Sequence, residues 1–225
     1  MSKRLRFLLL YGLPLACLVA LAGGGGFDLP GTQPGQLNEA PFQSAELCEY
    51  CHGNYDVAVE PYFNWRGSMM SQSARDPLFR AALTIAEQDV PGSGQFCWRC
   101  HAPTAWLEQR SEPPDGSNFN EMGWAGVQCD VCHRMVDPLS DEGKQLVEPD
   151  VPGYGNSMYV MSLDTAKRGP RNDAQANHEW VFSPFHHEGQ LCGVCHDVSN
   201  PLQASDPYTQ KPYEYGPILR VFSEW

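Results

Sequence analysis

Eight cysteines fall into four pairs, each with two residues between the partners: Cys48/Cys51, Cys97/Cys100, Cys129/Cys132 and Cys192/Cys195. A histidine follows every pair, at His52, His101, His133 and His196. On a helical turn, residues i and i+3 share a face and residue i+4 lies beside the first. Two thiols placed in this way can add to the two vinyl groups of one porphyrin, and the histidine can reach its iron as an axial ligand. C-x-x-C-H is the attachment signature of c-type haem, so four copies predict four covalently bound haem c groups.

Zinc and thiol redox chemistry account for the pattern less well. Four C-x-x-C pairs could build two four-cysteine zinc sites, but zinc gives no reason for a histidine after every pair. Histidine is 7 of 225 residues, so four of four by chance is on the order of one in a million. A thioredoxin-like pair would occur once, within a βαβ pattern. The ninth cysteine, Cys17, lies in an N-terminal apolar run, which leaves none for a disulfide framework.

Four haems have eight axial positions, and the motif histidines fill four. His178, His186 and His187 are the remaining histidines, so at least one haem is not bis-histidine within this chain. His186 and His187 are adjacent and point in different directions, so they could serve two haems, though a single ligand is the expectation, with His186 taken as that ligand. Histidine–histidine and histidine–methionine sites are saturated and suit electron transfer, whereas an open iron can bind a small molecule.

These residues resemble the exported multihaem cytochromes c, in particular the tetrahaem electron-acceptor cytochromes of ammonia oxidation. The resemblance covers most of residues 44 to 200. It rests on the four motifs, on Trp65-Arg66-Gly67-Ser68-Met69-Met70 and on Ser183-Pro184-Phe185-His186. In that family a Trp-x-x-Ser-x-His segment after the first motif supplies a distal ligand. The resemblance therefore implies that Met70, ahead of Met69, stands where the family has a histidine. Ser68 would cap the turn that carries it. The distal candidates are thus Met70, His178 and His186.

The elements that must hold these residues are short. Glycine and proline together number 40, a composition of loops and brief helices. The fold expected is mainly α with extensive loop, its short helices wrapped around a core of four covalently bound haems. Asp76-Pro77 is an N-cap followed by proline at the first helical position, and Leu78 to Gln88 is the clearest amphipathic stretch. Ser44 to Leu47, Ser93-Gly94, Gly126 to Gln128 and Glu188 to Leu191 open the four motif helices. Pro103 to Arg110 reads as another short helix. Residues 111–121 and 137–156 read as loops with solvated acidic clusters. Trp65, Trp98, Trp106, Trp124 and Trp180 are candidates for packing on haem, or for ordinary core.

The N-terminus is an address. Lys3, Arg4 and Arg6 precede sixteen apolar residues, Phe7 to Ala22, too few for a comfortable membrane span. Ala20-Leu21-Ala22 then offers a cleavage site. Residues 1–22 read as a signal peptide, with an uncleaved anchor as the one arrangement that brings the chain to a membrane. Residues 23–42 read as a flexible lead-in, and 43–225 as a tetrahaem domain. The end, Phe222-Ser223-Glu224-Trp225, is similar to Phe63-Asn64-Trp65, so the domain is also read as the N-terminal part of a longer cytochrome.

Removing residues 1–22 takes three positive charges with it, and the formal charge goes from −12 to −15. Nucleic acid is excluded as a partner, since phosphate binding needs a basic face. The function expected is periplasmic or extracellular electron transfer between redox donor and acceptor proteins. The alternative is an oxidoreductase acting on a small nitrogen or sulfur compound at an open iron.

Overall fold

Each of the four motifs closes a helix. In the computed structural model, which describes residues 27–225, the helices are α1 (Ala45–His52), α2 (Pro61–Arg66), α3 (Met69–Gln72), α4 (Pro77–Asp89), α5 (Ser93–His101), α6 (Pro103–Leu107), α7 (Glu121–Trp124), α8 (Cys129–His133), α9 (Asp141–Leu146), α10 (Gln190–His196) and α11 (Val221–Glu224). The motifs form the C-terminal turns of α1, α5, α8 and α10, each ending on its histidine. The signal-peptide reading of residues 1–22 lies outside the described residues. Among those described, no helix is long and apolar enough to cross a membrane.

α4 begins as its sequence requires. The Asp76 carboxylate accepts from the Leu78 N–H at 2.9 Å, and Pro77 occupies the first turn, where its missing N–H costs nothing. Leu83 and Phe79 turn inward onto the core. The strands are brief and pair in twos. β1 (Met135–Val136) is antiparallel to β2 (Val160–Met161), β3 (Lys167–Gly169) is parallel to β4 (Trp180–Phe182), and β5 (Val198–Ser199) is antiparallel to β6 (Pro217–Leu219).

The main protein core gathers Trp98, Val131 and Val194, residues that sit between the cysteines of the second, third and fourth motifs. Trp106, Tyr159, Met161 and Phe185 pack with them. Three of the motif helices thus contribute a residue to one shared core, with Cys97 and Cys195 packed against it. α1 is peripheral: Tyr50, between its cysteines, is 88% exposed.

Two sequence readings change. Residues 27–42, read as a flexible lead-in, are packed: Leu29, Leu37 and Phe42 are buried, and the Thr32 N–H donates to the Tyr159 carbonyl at 2.9 Å. Spaced apolar residues anchor this stretch despite its glycine and proline. The supposed loop 137–156 contains α9, capped by the Ser140 hydroxyl accepting from the Gly143 N–H at 3.0 Å. It then runs into the continuously buried segment 155–162.

Candidate haem-binding sites

The first and third motifs lie side by side. Asp130, inside the third motif and buried, accepts from the Gln43 N–H at 2.8 Å and pairs with Lys167 at 2.6 Å. The Gln128 side chain accepts from the Ala45 N–H at 3.0 Å. These bonds staple α1, α8 and β3 together. The Cys48 and Cys129 thiols face each other, and the Cys129 contact pulls Cys48 down to about 7 while Cys129 is pushed up.

The third motif also reaches the fourth. Burial pushes Cys132 up to about 11, and the neighbouring Cys192 adds to the shift. The fourth meets the second through Ser157, whose hydroxyl lies 2.9 Å from the Cys100 sulfur and 3.2 Å from the Cys195 sulfur. Burial pushes Cys97 to about 11. Followed through these sulfur contacts, the motifs run first, third, fourth, second in space. All eight cysteines are free thiols.

Their burial is uneven. Cys51 and Cys192 are exposed, and the other six are half-buried. Cys51 is open because α1 lies at the edge of the fold, where α8 and α2 pack against it. Cys48 is therefore the thiol of the first motif that meets another motif, and Cys51 stands on the solvent side of the same turn. Among the described residues, no group of three or more His, Cys, Asp or Glu side chains converges as a metal ion would need.

Two motif histidines face a second histidine. His52 and His178 have ring centroids 6.4 Å apart, and His133 and His186 lie at 6.0 Å with planes 18° apart. A metal bound by two opposed imidazole nitrogens at about 2.0–2.1 Å each holds the ring centroids about 6.3 Å apart. Both spacings therefore suit one iron between two rings. The Nδ1 atoms are tied to the protein: His133 to the Arg168 carbonyl at 2.7 Å, His178 to the Glu179 carbonyl at 2.9 Å, and His186 to the Ser183 hydroxyl at 2.9 Å. For His133 and His178 the carbonyl partners hold the proton on Nδ1 and leave Nε2 for the metal. Nε2 of His186 is engaged by the Cys132 carbonyl at 2.9 Å, a bond that ligation would have to replace. Burial lowers the His186 pKa, favouring the neutral ring that ligates.

His187 is turned elsewhere. Its Nε2 bonds the Pro170 carbonyl at 2.6 Å, and its ring meets the edge of Phe182. Between the two adjacent histidines, His186 is the one that faces a motif. The β3–β4 ladder does the positioning: His178 lies two residues before β4, and β4 leads into the turn Pro184–His187.

His101 and His196 have no opposed histidine. The His101 ring stacks flat on Phe79 at 3.6 Å, and its Nδ1 meets the Ser73 carbonyl at 3.2 Å. Burial lowers its pKa. α3 sits between the second and third motifs: the Ser73 hydroxyl donates to the His101 carbonyl at 2.7 Å, and the Val127 N–H donates to the Met70 carbonyl at 2.9 Å. Gly126, with φ +69°, permits this approach, since a Cβ there would lie 2.5 Å from the Met70 carbonyl. Ser68 caps α3. The Met70 side chain is 47% exposed and Met69 69%. Trp98 and Trp106 are core residues, while Trp65, Trp124 and Trp180 are half-buried.

The donor set fits haem c. Each motif offers two free thiols on one helical turn and a histidine at its end, and two of the four have a second imidazole at bridging distance. Ser157, Ser73, Arg168 and Ser183 orient these groups; only Ser183 stands in a stretch the sequence marked. Two of them, Ser73 and Arg168, act through main-chain carbonyls that every residue possesses.

Residues 47–134, which include the first, second and third motifs whole, match the family model described as cytochrome c554 and c-prime. No curated protein matches the chain. A penta-haem cytochrome c552 from Thermochromatium tepidum is similar at 20% identity and a TM-score of 0.44, over 73% of this chain and 47% of that one. This chain thus spans under half the length of that protein. The four motifs and the match over residues 47–134 together support a multihaem c-type cytochrome.

Proposed function

We propose that the chain is an exported electron-transfer protein that holds four haem c groups in a row and passes electrons between a donor and an acceptor protein. Haem c supplies iron that alternates between ferric and ferrous states, so each bound group takes up or releases one electron. The observation that carries the reading is the pair of opposed histidines, His52/His178 and His133/His186. Two irons closed on both sides are suited to electron transfer and not to substrate binding. The proximity of their cysteines favours the path first–third–fourth–second. Exposed acidic residues give partner proteins of complementary charge a surface to approach. Export follows from the expected signal peptide, and periplasmic or extracellular placement from export.

Met70 is the distal candidate for the second motif, because α3 lies against His101 and the third motif has His186. A second reading is supported by His101 and His196, which have no opposed histidine. An open iron at either would make the protein an oxidoreductase for a small nitrogen or sulfur compound. Carbon monoxide titration of the reduced holoprotein separates these cases. Electron transfer alone is expected to leave all four haems unresponsive or slow. Rapid stoichiometric binding at one or two haems would favour the oxidoreductase, and rapid binding at all four would overturn the histidine pairs.

A further inference from the structure

Arg99 lies between the cysteines of the second motif and is 1% exposed. Its guanidinium donates to the carbonyls of Ser157 at 2.9 Å and Leu29 at 3.1 Å, and to that of Pro30. It stacks over Trp106 at 4.6 Å and Tyr159 at 5.7 Å. Its partners are neutral throughout. Among the described residues it forms no ion pair, and Asp28, the carboxylate in electrostatic reach, is on the surface. The buried Tyr159 hydroxyl beside it has no hydrogen-bond partner.

The other motifs are balanced differently. Asp130 in the third is paired with Lys167, and the buried Arg134 next to it has Asp130 and Asp164 in reach. Asp197, after the fourth motif, lies 3.6 Å from Arg220. Around the first motif Glu46 and Glu49 add negative charge without an ion pair, Glu46 at the surface and Glu49 half-buried. Glu87 and Asp76 also lie in electrostatic reach of the second motif, but Arg99 is the fully buried charge there, whereas the carboxylates around the first motif lie at or near the surface.

We infer that Arg99 makes the second-motif haem the electron sink of the row, so that electrons run from the first motif through the third and fourth to the second. This rests on the haem reading above. Reduction adds one electron, delivered by the donor protein, to a ferric iron and moves no proton, because a guanidinium stays protonated throughout. A fixed positive charge nearby favours the product. At roughly 10 Å in a partly screened interior, a unit charge biases that equilibrium about tenfold. Buried charges are also screened by salt far less than exposed ones.

Spectroelectrochemical titration of the holoprotein tests this. A pyridine haemochrome count below four in the unmodified protein would overturn the haem reading itself. With four haems present, Arg99→Gln is expected to lower the highest-potential component about tenfold, or about 59 mV for one electron, while Arg99→Lys retains most of it. Unchanged potentials in Arg99→Gln would overturn the inference. Should that variant fail to load haem, the unmodified protein gives the answer at low and at about 1 M salt. The highest component is expected to move least while the lowest rises as the surface carboxylates are screened. A highest component that falls, or that moves as far as the others, would overturn it.

Discussion

His52 and His178 are more than a hundred residues apart, yet their rings stand at the spacing one iron would set. Replacing His178 by alanine is expected to leave four haems attached and to open one of them to carbon monoxide. A spectrum indifferent to carbon monoxide would show that His178 is not the ligand. Met70→Ala is expected to remove any sulfur-to-iron charge-transfer band, and Met70→His to lower one potential while keeping that iron closed. Unaltered spectra and potentials in both variants would make Met70 packing alone. Asp130→Asn breaks a buried ion pair and is expected to cost about 3 kcal/mol in denaturant unfolding. That each C-x-x-C-H run closes one helical turn could be read from sequence, because it involves neighbours alone. The exposure of Cys51 could not, since it depends on α1 lying at the edge of the fold. Nor could the approach of His178 to His52 and of His186 to His133, which depends on where β3 and β4 carry them, and no local pattern encodes that.

The same contrast holds for the elements. α4 was legible from Asp76, Pro77 and a regular apolar face. α9 was not, since Ser140 has glycine rather than glutamate three residues on and the helix is only six residues long. Composition pointed the wrong way for residues 27–42, where three well-spaced apolar side chains outweigh the glycines and prolines. Among the motif helices, α5 contributes most to the protein core through Trp98, which is fully buried with its indole N–H donating to the Pro114 carbonyl at 2.8 Å. Trp98→Ala is expected to cost about 3–5 kcal/mol, measured by denaturant unfolding with haem absorbance as the probe. A loss below about 1 kcal/mol would mean that bound haem, not Trp98, sustains that part of the core.

At the scale of the whole molecule, short helices and ladders of two or three residues give the described residues little regular structure with which to hold their thiol faces. Expression without residues 1–22, where haem is not attached, is expected to yield a colourless and poorly folded protein. A cooperative unfolding transition in that form would contradict this. Mass spectrometry of the exported protein is expected to show four haem additions, and Cys100→Ser to lose or weaken one. The β3–β4 ladder also has a meaning in time. A chain that emerges from its N-terminus presents the first and third motifs before the ladder is complete, so both can receive their groups while one side of each is unobstructed. His178 and His186 then arrive together, eight residues apart, as two bolts on a single latch. A chain ending at residue 170 should therefore stay open to carbon monoxide at both sites, and the full chain should close them in one step.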